Sequence, residues 1–179
     1  MKFKYESKII TKQKKSSVKL HNGSHSRTDV LYLKNPMNNI SHIPRKLSKE
    51  NIESAISEYY KLLEGIPLKI ESKNILELFT QLKLKKINTG SYPNVTLFES
   101  ANRIMTDLTI LKGIRRLLNQ AIPEINYETY HVEFGHDNFN DFDIVAEDNN
   151  QKLVGEAFNV SHQFFQTKKS KMLNKLRKK

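Results

Sequence analysis

The stretch "NDFDIVAEDNNQKLVGEAFNVS", residues 140–161, sets two carboxylates inside two apolar runs: Asp143 in the first and Glu156 in the second. An ionised carboxylate taken out of water is costly unless it is paired or bound to a cation. Between the runs, "EDNN" is turn chemistry, so the stretch reads as a β-hairpin. In "DFDIVAED" the alternation puts Phe142, Ile144 and Ala146 on one face, and Asp141, Asp143 and Val145 on the other. Asp143 and Glu156 flank the turn at similar distances, so the hairpin brings them near each other across the pair. Two adjacent carboxylates repel in an apolar setting, which raises one pKa or demands a cation. Paired acidic oxygens suit a hard divalent ion such as Mg2+, usually together with phosphate oxygens and water.

Upstream, "ETYHVEFG" alternates in the same way, with Tyr130, Val132 and Phe134 on one face and His131 and Glu133 on the other. Glu133 is read there as solvent-exposed. Before that strand, "TLFESANRIMTDLTILKGIRRLLNQ" is a helix: Thr96 and Glu99 have capping-box spacing, and Ile104, Leu108, Leu111 and Leu118 form its apolar stripe. Two earlier helices are predicted. "SKENIESAISEYYKLLEG" carries Ile52, Ala55, Ile56, Tyr59 and Leu63 at helical spacing behind a serine cap, and "SKNILELFTQLKLKK" starts on Ser72. A last helix runs from about Ser161. Its apolar face is Phe165, Met172, Leu173 and Leu176, Lys169 falls within that stripe, and Lys168, Lys171, Lys175 and Lys179 line its flank.

The expected class is α/β in the broad α+β sense. A basic, loop-rich segment spans residues 1–46 and a single domain spans 47–179, with its core in 96–179. "TDVLYL" is a possible short strand within the first segment.

The formal net charge of +11 gives a positive field that favours polyanions, nucleic acid first. No acidic residue follows Glu156, while "TKKSKMLNKLRKK" is densely basic. There is no cysteine, which excludes disulfides and thiolate zinc sites. No apolar run approaches the roughly 20 residues of a spanning helix, and the first residues lack a secretory core, so a cytoplasmic location without membrane association is expected. No glycine-rich phosphate loop or nucleotide fingerprint points to an organic cofactor.

A helix, then a three-strand meander with Asp143 on its second strand and Glu156 on its third, then a helix, resembles the PD-(D/E)XK nuclease superfamily, which includes many type II restriction endonucleases. The resemblance covers roughly residues 96–179 and implies a restriction-endonuclease-like core. It also implies a Mg2+-dependent endonuclease acting on double-stranded DNA, with Asp143 and Glu156 as catalytic metal ligands and Glu99 as an accessory acid. The motif's lysine position holds Phe158, so by resemblance the cation is expected from the following helix, with Lys169 as the catalytic candidate. Lys168, Lys171, Lys175 and Arg27 are the expected phosphate contacts, and a homodimer is expected for a palindromic site. Two other readings stay open: an inactive nucleic-acid-binding protein of the same fold, and a basic protein-interaction module.

Overall fold

The structure is a computed structural model that describes residues 8–9, 40–88, 90–135, 137, 141–148 and 151–178. Its element order is β1 (Lys8–Ile9), a 3-10 turn (Ile40–His42), β2 (Lys46–Ser48), α1 (Ile52–Glu64), α2 (Ile75–Leu84), α3 (Leu97–Leu118), β3 (Thr129–Val132), β4 (Ile144–Glu147), β5 (Lys152–Gly155) and α4 (His162–Lys178). The fold is therefore mixed α+β around one antiparallel sheet, with strand order β1-β5-β4-β3-β2. The β3-β4-β5 meander lies at its centre. β2 pairs with β3 through Leu47 and Tyr130, and β1 pairs with β5 through Ile9 and Leu153. β1 comes from the segment read as loop-rich and β2 straddles that segment's end at Lys46, whereas "TDVLYL" and Arg27 lie outside the described residues. Among the described residues no helix is long and apolar enough to cross a membrane.

Alternation decides which sheet face is covered. Tyr130, Val132, Phe134, Ala146 and Leu153 are all buried, in one cluster with Ile52, Ala55, Ile56 and Tyr59 of α1 and Leu108, Leu111, Ile114 and Leu118 of α3. Each fully buried valine, leucine, isoleucine or phenylalanine side chain contributes about 1.5–3 kcal/mol. Val154 on the opposite face and Leu176 of α4 are buried outside that cluster.

Inside the main core, Asp107 of α3 is fully buried. Its Oδ2 accepts from the Tyr59 hydroxyl at 2.6 Å and from the Tyr92 hydroxyl, and its Oδ1 accepts from the Gly135 amide at 3.0 Å. Burial pushes the Asp107 carboxyl upward, and the two tyrosine hydrogen bonds pull it back. Burial raises both tyrosines strongly as well, so they remain donors. One carboxylate thus ties α1, α3, the loop before α3 and the turn after β3. Beside it, Arg45 pairs with Asp137 at 2.6 Å and lies 4.6 Å from the Phe134 ring centre.

Two caps differ from the sequence reading. Ser48 belongs to β2, and Asn51 caps α1; the Asn51 carboxamide bonds the Ser48 amide and the Lys46 carbonyl rather than the helix. Asn74, not Ser72, caps α2 by accepting from the Glu77 amide at 2.9 Å, while the Glu77 carboxylate reaches back to the Lys73 amide. Thr96 caps α3 as expected, at 3.2 Å from the Glu99 amide. α2 buries no residue: Ile75, Leu76, Phe79 and Leu84 are all exposed.

Candidate active site

The last registered rung of the central hairpin joins Ile144 to Gly155. Asp143 is the residue before β4 and Glu156 the residue after β5, so the two form the next rung beyond the ladder. The sequence reading had them inside strands; the structure sets them at the strand ends, where backbone amides become available to side chains. The Ala157 amide uses this freedom and donates to Asp143 Oδ2 at 2.8 Å.

Asp143 and Glu156 are neighbours across the end of the hairpin, close enough for each carboxyl to act on the other's charge. Burial pushes the Asp143 carboxyl up to about 6; the Ala157 amide opposes this, and the neighbouring Glu156 charge adds to it. The Glu156 side chain is only 7% exposed and forms an ion pair with the Lys175 ammonium. Lys175 also stands 5.7 Å from the centre of the Phe142 ring. The site is therefore two neighbouring carboxyls, one of them holding its proton toward neutral pH, with the Lys175 ammonium against the other.

The third strand contributes at the same level. The Glu133 amide donates to the Asp143 carbonyl at 2.9 Å, which continues the β3–β4 register by one rung. Glu133 is buried, 8% exposed, which corrects its reading as a solvent-exposed residue. The signal was in the sequence: the alternation that sends Glu133 away from Phe134 sends it to the face of Asp143.

Glu99 falls elsewhere. It is exposed at the start of α3 and pairs with Arg103 at 2.6 Å, while Arg103 also donates to the Gly135 carbonyl. Among the described residues, no group of three or more His, Asp or Glu side chains is arranged to hold a metal ion. Lys169 is half-buried on α4. Phe158 packs its ring 5.6 Å from that of Phe165, fastening the start of α4 to the segment that follows Glu156. Lys175, read from the sequence as a phosphate contact, is the ammonium the fold places on Glu156.

The chain matches no protein-family model, no curated protein and no solved structure.

Proposed function

We propose that this chain is a Mg2+-dependent endonuclease of restriction-endonuclease-like architecture, acting on phosphodiester bonds of double-stranded DNA. The observation that carries this reading is the placement of Asp143 and Glu156 side by side at adjacent strand ends, where two ionised carboxylates need a cation to be tolerated at neutral pH. The donor set fits magnesium, since both groups are hard oxygen ligands and the positive charge now beside Glu156 is an ammonium. Asp143 and Glu156 would hold the ion. When bound, magnesium supplies Lewis acidity toward a phosphodiester and lowers the pKa of water.

The chain's own residues prepare that chemistry. The Ala157 amide fixes the Asp143 carboxyl, and Lys175 holds Glu156 in place and keeps one positive charge where a phosphate would arrive. The net charge of +11 draws the polyanion, with an affinity that falls steeply with salt. A homodimer acting on a palindromic site and a cytoplasmic setting belong to the same proposal.

The test is supercoiled plasmid incubated with the protein and magnesium. Wild type is expected to give nicked or linear product, chelation to stop it, and Glu156→Gln to be inert. Binding without cutting would favour the inactive DNA-binding reading, and neither binding nor cutting would favour the interaction module. Lys175 makes a separate prediction. Lys175→Met leaves Glu156 buried with no ammonium against it, so cutting is expected to fall about 100-fold or more. Its stability at pH 7 should fall by about 1 kcal/mol, small because Lys175 is 40% exposed. Lys169→Ala, measured alongside, should retain most of the rate; the reverse result would return the role to Lys169.

A further inference from the structure

α4 carries a second pattern beside the face it buries. Phe164, Lys168, Lys171 and Lys175 recur at intervals of four, three and four residues, which places them within one narrow stripe of the helix. Phe164 is 60% exposed, and its ring meets no other ring among the described residues. Lys168 and Lys171 form no ion pair there either, and no acidic residue follows Glu156 to neutralise them. The far end of the stripe is fixed at the carboxylates, because Lys175 is held on Glu156. Near its start, the Phe158–Phe165 ring contact holds the helix to the segment after Glu156.

We propose that this stripe is a rail for one unpaired polynucleotide strand, with a base stacked on Phe164 and phosphates following Lys168 and Lys171 toward the Asp143–Glu156 pair. The direction toward the pair rests on the nuclease reading above; the binding itself does not. Lysines alone would serve a duplex equally well. The exposed ring in line with them would not, because duplex bases are stacked inside the helix and only an unpaired base offers its face to an aromatic side chain. Phe164 to Lys175 spans about 16 Å along the helix, the length of roughly five stacked nucleotides. The substrate class is accordingly DNA with an unpaired stretch beside the scissile bond, such as a flap, a gap or a melted site.

The test is binding of fluorescently labelled 12-nucleotide single strands and the matching duplex, in chelator so that nothing is cut. Phe164→Ala is expected to weaken single-strand binding roughly 5- to 150-fold and to leave duplex binding unchanged, while Phe164→Tyr retains wild-type binding. Lys168→Ala with Lys171→Ala should reduce the slope of log affinity against log salt by about 1.4 on single strands. Parallel deoxyribose and ribose strands show which sugar the rail accepts, and stacking on either supports it. Equal weakening of duplex and single strand by Phe164→Ala, or no weakening, overturns the rail. If single strands bind as described and plasmid is never cut, the rail stands and the nuclease reading fails. If plasmid is cut and Phe164→Ala changes no affinity, the rail fails alone.

Discussion

Replacing Asp143 with asparagine is expected to give a protein that is more stable and does not cut DNA. The Asp143 carboxyl titrates near 6 in the folded chain and near 3.8 as an ordinary aspartate. A folded-state value raised in this way gives stability that is full below about pH 4 and is lost as pH rises through 6. At pH 7 the ionised pair therefore works against folding, by up to about 3 kcal/mol for a shift of this size. Asparagine keeps an oxygen for the Ala157 amide and can donate to Glu156, so it removes the repulsion without opening the site. The expected gain is about 1–3 kcal/mol, or roughly 2–12 °C in Tm for a chain of this length. The wild type should also gain stability between pH 7 and pH 5, and Asp143→Asn should not. Equal pH profiles for the two proteins would show that the pair carries no strain.

The second large effect is at Asp107. Asp107→Ala removes the acceptor for the Tyr59 hydroxyl, the Tyr92 hydroxyl and the Gly135 amide at once. Each donor left unsatisfied in the core costs about 1–3 kcal/mol, and the loss is expected to total about 3–5 kcal/mol, since such terms do not add fully. Tm should fall by roughly 6–20 °C. Adding Tyr59→Phe to the alanine variant removes one orphan donor and spares the Tyr92 hydroxyl, which also accepts from the Gly135 amide at 3.2 Å, so it should recover part of the loss. A double variant less stable than the single one would mean that the Tyr59 hydroxyl has another partner. The turn at Gly135 leads toward the site, so the single variant is also expected to lower cutting at temperatures well below its Tm.

Much of this architecture is legible in the sequence, because strand and helix periodicities report faces directly. Alternation in "ETYHVEFG" assigns Tyr130, Val132 and Phe134 to the core, and the stripe of α3 assigns Leu108, Leu111 and Leu118 to it as well. The symmetric placement of Asp143 and Glu156 about one turn likewise fixes their meeting, since an antiparallel register follows from the turn. Periodicity does not report the position of a helix along its axis, however. Lys169 lies within the apolar stripe, yet the ammonium brought to Glu156 is Lys175, six residues later and on the flank, because the Phe158–Phe165 contact sets where α4 begins its run past the sheet. Caps fail for a different reason. "SKEN" and "SKN" each offer two capping residues, and where the chain turns into the helix decides between them. The Asp107 clamp joins partners 48 and 15 residues away, and no local pattern marks it.

The initial rate of plasmid nicking in magnesium, for wild type and Asp143→Asn side by side, tests most directly whether Asp143 and Glu156 act as one magnesium site that cuts DNA. Nicking by the wild type and at least a thousandfold less by the more stable asparagine variant is the predicted result. Equal rates for the two proteins, or no magnesium-dependent nicking by the wild type, would contradict it.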